Sequence, residues 1–235
     1  MNTGLHGRVL DQIGAQLTSG ELAPGAVFST ETLMQRYGVS RTIARGVIKV
    51  LEQHGVLTSR RRVGLTVQPS SSWDALSPLV VGWRLNSSEL SVQLRELSEL
   101  RSGIEPVAAR LAAARATPEQ RHRLLAAVGG MASTGRAGDL ETYLENDVTF
   151  HTTLLESSGN AVLASLAPLV STVLDFRTHR YLMPATPEPE AVRWHFAVAE
   201  AISVGDGEAA AENMRLIVQE AQHAMDDAIE APPAD

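Results

Sequence analysis

Apolar positions recur along the chain in two rhythms. Leu5, Val9, Leu10, Ile13 and Leu17 fall on one face of a helix that stops at Ser19-Gly20, with Pro24-Gly25 forming a turn. A second, shorter helix is predicted over Thr30–Tyr37, with Ser29 or Thr30 as its N-cap and Gly38 as a left-handed stop. A third begins after Ser40 and runs to His54, closed by Gly55; its Ala44, Val47, Ile48 and Leu51 keep one face on a core. Beyond Gly55 the period shortens. Residues 56–59 and 65–67 read as two strands joined through the basic turn Arg60-Arg61-Arg62-Val63-Gly64. Three helices followed by a hairpin predict a winged helix-turn-helix over residues 1–69.

Pro69-Ser70-Ser71-Ser72 then reads as a joint, and residues 70–86 as a linker holding one short helix at 75–84. From there on the pattern is helical throughout. Helices are predicted over 88–116, with a kink at Pro106, and over 118–134, opened by Thr117 as N-cap and Pro118 at N1. Others follow at 139–158, 160–181, 187–204 and 206–229, leaving a disordered tail at 231–235. The fold class is therefore mainly α: a winged helix-turn-helix plus an antiparallel all-α bundle of six to seven helices over 87–230.

Composition changes this picture little. Apolar residues make up 44% and charged residues 20%, enough apolar material for two modest cores. The absence of cysteine removes disulfides and thiolate chemistry and fits a reducing cytoplasm. No signal peptide is read, and no run approaches the ~18 apolar residues of a membrane span; the richest stretch, 163–174, is interrupted by Ser165, Pro168, Ser171 and Thr172. A cytoplasmic protein without a membrane partner is expected.

Charge changes it more. The net charge of −7 argues against a nucleic-acid partner, but residues 1–69 carry eight basic and four acidic groups, a local +4, against −11 for the remainder. Such asymmetry points to a polyanion-facing module on an acidic body. On the third helix Arg41, Arg45 and Lys49 recur every four residues, opposite the inward face, with Thr42 beside them. Arginine near the start of such a helix can donate two hydrogen bonds to guanine, while Lys and Thr reach phosphates. Arg60, Arg61 and Arg62 would flank the groove from the wing.

In the helical half, Asp147 and His151 stand one turn apart on a helix whose Leu144, Val148 and Leu155 suggest a core. A carboxylate and an imidazole at this spacing can chelate a divalent metal, and they can equally form a buried hydrogen bond. Arg177, His179 and Arg180 form a cationic cluster that reads as a solvated helix end.

The segment 22–67, with Pro24-Gly25, Gly38-Val39-Ser40-Arg41-Thr42, Arg45, Leu51-Glu52, Gly55 and Gly64-Leu65-Thr66-Val67, resembles the GntR family of bacterial regulators. The remainder resembles the FadR-type (FCD) effector domain of that family. It does so through Glu99-Leu100-Arg101, Glu105-Pro106, Ala108-Ala109-Arg110-Leu111-Ala112, Asp147-Val148-Thr149-Phe150-His151 and Ser158-Gly159-Asn160. The resemblance implies a homodimer on a palindromic operator, a repressor released when a small metabolite binds the helical domain. Arg41, Thr42, Arg45, Lys49, Arg60, Arg61, Arg62 and Gly64 are then the DNA-binding set. Arg101, Asp147, His151 and His195 are the effector set, the last three also being the positions of metal ligands such as would hold zinc. The family's fourth ligand position is Ile217, which cannot ligate; Asn213 and Glu220, one turn away, can partly compensate.

Other departures are Phe28 and Thr30 before the second helix, Gly46, and Glu31 where many members carry a DNA-contacting arginine. Glu31 would repel phosphate and shift operator affinity toward the wing. Arg101 can clamp a carboxylate or form an interhelix salt bridge. Because residues 73–85, with Trp83-Arg84-Leu85, are similar to those of sugar-acid regulators, an aldonate such as gluconate or galactonate is the first effector to expect. The rival from another class is a metal-dependent hydrolase built on Asp147, His151 and His195. It lacks an HExxH helix, a GxSxG elbow and a general base.

Overall fold

The computed structural model describes residues 4–180, 182 and 188–230. They form two compact units, Met1–Leu90 and Ser91–Asp235. The first opens with α1 (Leu5–Thr18), followed by β1 (Val27–Phe28), α2 (Thr30–Tyr37) and α3 (Arg41–Gln53). Ser29 Oγ accepts from Thr32 N at 3.0 Å and Ser40 Oγ from Ile43 N at 3.4 Å, so both predicted starts carry side-chain caps. Gly38 ends α2 at φ 61°, a left-handed turn that aims α3 away from α2.

The wing is β2 (Leu57–Arg60) and β3 (Gly64–Val67), paired antiparallel with Thr58 opposite Thr66. The sheet has a third strand that periodicity missed: the two-residue β1 pairs with β3 through Val27 opposite Thr66, giving the order β1-β3-β2. A strand this short holds no alternation to read. Gly64 adopts φ 112° at the hairpin's return, where a Cβ would lie 2.8 Å from the Phe28 carbonyl oxygen. Both the backbone angle and the close approach of β1 require glycine there.

The stretch predicted as a linker is largely part of this unit. After a 3-10 turn at Ser70–Ser72, α4 (Pro78–Leu85) buries Val80 and Trp83 among Val9, Leu10, Ile13, Val47 and Leu51. The polar Ser-rich composition hid this, because the residues that anchor the segment lie beyond it.

The second unit is built from α5 (Leu90–Arg115), α6 (Pro118–Ala137), α7 (Leu140–Ser157), α8 (Ala161–Ala164), α9 (Ala167–His179), α10 (Pro189–Val204) and α11 (Gly207–Glu230). A capping box opens α6, Thr117 and Gln120 each satisfying the other's backbone N–H. Pro106 lies inside α5. Its last turns are lined with alanine, and Ala109, Ala112, Ala113 and Ala116 meet Leu124, Val128, Met131, Phe150, Val198, Ile202 and Met214 in one core. Small side chains on α5 let its neighbours approach closely while their larger residues fill the space.

The single helix predicted over 160–181 is two, separated at Ser165-Leu166 ahead of Pro168; Tyr181 falls outside the described residues, as do Pro187 and the predicted tail. The described stretch Ala161–His179 is long and apolar enough, at mean hydropathy 1.3, to meet the length and composition of a membrane span, contrary to the sequence reading. Half of it is buried inside the protein, with Val170 and Leu174 in a core cluster, as a core helix requires.

Candidate functional site

The first candidate surface follows from α3. Ala44, Val47, Ile48 and Leu51 are buried, which turns Arg41, Thr42, Arg45 and Lys49 outward, all four exposed. Arg60, Arg61 and Arg62 are exposed at the hairpin tip, Arg62 with a left-handed φ of 67°. Among the described residues Arg45, Lys49 and the three wing arginines make no ion pair, so their charge is available to a polyanion. Arg41 differs: its Nη2 donates to Glu31 Oε1 at 3.0 Å. Glu31, expected only to repel phosphate, restrains the first arginine of the ridge.

The second site lies inside the bundle, where five helices each contribute to a small polar cavity. Helix α5 supplies Arg101 and α7 supplies Tyr143, Asp147 and His151 from successive turns; α9 supplies Arg177, α10 His195, and α11 Ile217 and Glu220. The cavity measures about 20 Å³, room for about one water-sized group. Phe150 packs beside the two imidazoles, its ring edge-on to His151 and His195 at centroid distances of 5.5 and 4.8 Å.

Hydrogen bonds fix how the two imidazoles face. His195 Nδ1 donates to the Ala191 carbonyl at 2.6 Å, and His151 Nδ1 lies 2.6 Å from Glu105 Oε2. Glu105 is wholly buried and also accepts from Arg101 Nε at 2.5 Å. Burial works to raise its carboxyl, but the Arg101 and His151 charges outweigh that and hold it at about 2. As an ionised acceptor it receives a hydrogen bond from His151 Nδ1–H, which keeps its proton. Burial lowers the affinity of His151 for a further proton, and the Glu105 carboxylate more than offsets it, so this imidazole is raised.

Both Nε2 atoms consequently point at Asp147, whose Oδ1 stands 3.3 Å from that of His151 and 3.4 Å from that of His195. Burial pushes the Asp147 carboxyl up, and the two imidazoles that face it carry it well below the usual carboxylate range. His195 Nε2 is buried without a hydrogen-bond partner. Tetrahedral zinc, with bonds of about 2.0–2.2 Å, places its ligand atoms about 3.4 Å apart, so the spacing and the unmatched nitrogen fit a divalent cation. Among the described residues the three form one group able to hold an ion. Glu105 occupies the outer position in which a carboxylate fixes the tautomer of a ligating histidine.

The structure brings Arg101, Asp147, His151 and His195 together as the sequence suggested. Arg101 bonds an acid on its own helix, one turn away, rather than across helices. Ile217 lines the cavity and is buried, with Glu220 beside it; Asn213 is not among the lining residues and donates to the Ala209 carbonyl at 2.8 Å. Arg177 corrects the reading of a solvated helix end: it is 8% exposed, lines the cavity, and its Nη2 lies 3.4 Å from Asp147 Oδ2. Its neighbour His179 is half exposed beside Glu141 and Asp175. Sequence reasoning missed Glu105 and Arg177. The i, i+4 spacing from Arg101 was a signal for the first; nothing local distinguished the second. Trp83, part of the segment that suggested a sugar acid, is buried in the core of the first unit and is not among the residues lining the cavity.

Two family models match: "Bacterial regulatory proteins, gntR family" over residues 5–67 and "FCD domain" over residues 96–220. The chain is 30% identical over 202 residues to the HTH-type transcriptional regulator YieP of Escherichia coli, covering 85% of this chain and 86% of that one. It is 29% identical over 205 residues to the galactonate operon transcriptional repressor of the same organism, covering 86% and 89%. The solved structure of E. coli McbR/YncC superposes with a TM-score of 0.57 at 21% identity, over 97% of this chain and all of that one, a likeness of fold.

Proposed function

The chain belongs to the GntR family of bacterial regulators, with an FCD domain behind its winged helix, and on that premise we propose that it is a repressor whose grip on its operator is loosened by a small organic acid. That it is a DNA-binding transcription regulator and not an enzyme follows from the family, and the hydrolase reading is set aside. Arg45, Lys49 and Thr42 enter the major groove with Arg41, and Arg60, Arg61 and Arg62 straddle the adjacent phosphates. Gly64, at the return of the hairpin, lets β3 approach β1 and so fixes where those arginines stand. Two copies acting as a homodimer in the cytoplasm read a palindrome.

The effector enters the α5–α11 cavity. Asp147, His151 and His195 would hold a divalent cation such as zinc there, which when bound offers a Lewis-acidic seat for a carboxylate or hydroxyl oxygen. Because Ile217 supplies no fourth ligand, that position is left to water or to the effector. Arg101 lends positive charge to the same point, which favours an anion. A sugar acid is the first choice, supported by the resemblance to a galactonate repressor. The observation that carries this reading is the presence in one chain of a buried polar cavity and an exposed cationic ridge on which, among the described residues, Arg45 and Lys49 make no ion pair.

Fluorescence anisotropy of the full chain on duplex DNA from upstream of its own gene tests the DNA half. Log affinity should fall with log salt at a slope of at least about −4, since each neutralised phosphate contributes about −0.9. A flat salt response would contradict it.

A further inference from the structure

Among the described residues, two guanidinium groups in this cavity each retain a buried N–H with nothing to bond. Arg101 Nη2 and Arg177 Nε have no hydrogen-bond partner there, and the two residues are 2% and 8% exposed. Each is already tethered from another nitrogen, Arg101 Nε to Glu105 at 2.5 Å and Arg177 Nη2 to Asp147 at 3.4 Å, so neither can swing to solvent to satisfy itself. Buried donors in folded proteins almost always meet an acceptor, and a charged one is the most expensive to leave unmet. The two acids they already touch are further occupied, Glu105 by His151 and Asp147 by both histidines.

We propose that Arg177 and Arg101 together form the receptor for the carboxylate of a hydroxy acid, with Glu220 at the outer end accepting from a hydroxyl of the same ligand. The inference rests on the effector reading above and adds to it a residue, Arg177, and an orientation. A carboxylate offers about four lone-pair sites on two oxygens and so can take both free N–H groups at once. The cavity of about 20 Å³ admits about one oxygen-sized group, such as a single carboxylate oxygen, and not a whole sugar acid. The ligand chain must therefore run outward, past Ala221 and Ala224 toward half-buried Glu220 and exposed Glu188, which line the same cavity. Among the described residues Glu220 makes no hydrogen bond, and it is partly buried, so a ligand hydroxyl supplies what it lacks. The selectivity follows: neutral polyols lack the group that the arginines take.

Calorimetry with the full chain and saturating zinc tests this, using D-galactonate and D-gluconate as probes and galactitol as the neutral control. Arg177→Lys keeps a cation beside Asp147 and removes the Nε–H; its zinc affinity, read separately by competition with a chromophoric chelator, should stay within about threefold. Its affinity for the acid should fall tenfold or more. In the wild-type protein the arginine Nε–H resonance assigned to Arg177 should shift when the acid is added, a readout that needs no variant. An unchanged acid affinity in Arg177→Lys, or an unmoved resonance at saturation, overturns the receptor while leaving an organic-acid effector in place. If neither acid binds the wild-type chain, the effector reading itself is wrong and the receptor falls with it.

Discussion

Glu31, in the first turn of α2, holds the Arg41 guanidinium 3.0 Å away on the exposed cationic face of α3, and both side chains are exposed. Such a pair adds little to stability, at most about 1 kcal/mol. Its consequence lies in recognition, because Arg41 must exchange a carboxylate for a phosphate or a base edge when DNA arrives. Glu31→Gln should therefore tighten binding to random-sequence duplex severalfold and steepen the salt slope by about 0.9, one further phosphate contact. Anisotropy titrations at several salt concentrations would measure both; an identical slope would show that the pair does not restrain Arg41.

Arg45 sits at the centre of the ridge, exposed, with no ion pair among the described residues. Arg45→Ala should cost about 1–3 kcal/mol of specific operator affinity, the value of one bidentate contact. Thermal unfolding should move by no more than about 0.5 kcal/mol, since no core contact is lost. Loss of folding in place of loss of binding would assign Arg45 a structural role.

The metal reading makes a stability prediction. Zinc at about 100 times its dissociation constant should stabilise the chain by about 2.7 kcal/mol, and a chelator should reverse the effect. His195→Ala and Asp147→Ala should each abolish the zinc-dependent rise in Tm. A rise that persists in both variants would place the ion elsewhere.

Arg101 and Glu105 form a buried pair, 2% and 0% exposed. Glu105→Leu leaves Arg101 charged and unmatched in the interior, and should destabilise the chain by about 3–5 kcal/mol in urea denaturation. Adding Arg101→Met should recover most of that loss, because the cost lies in the stranded charge rather than in the missing bond. Equal stability of the single and double variants would refute this.

The N-terminal fold was legible in the sequence because caps, glycine stops and a change of period coincide over residues 29–67. The two-residue β1 and the docking of α4 were not, since each depends on partners distant in the chain, Thr66 and Leu65 for one and the α1–α3 core for the other. In the cavity, Asp147 and His151 were visible through their spacing on one helix. Glu105 and Arg177 were not: a buried charge reads as an exposed one until its neighbours are in place. Helix ends dense in arginine look solvated by default, and Arg177 is the exception because α9 turns it toward Asp147.

The proposed function requires coupling between the cavity and the exposed cationic ridge, and operator release by a sugar acid measures it. With the full chain bound to DNA from upstream of its own gene and zinc present, D-galactonate or D-gluconate should weaken binding about 5- to 150-fold, the usual span of such coupling, while galactitol leaves it unchanged. DNA affinity that stays constant at acid concentrations that saturate the cavity would contradict the account.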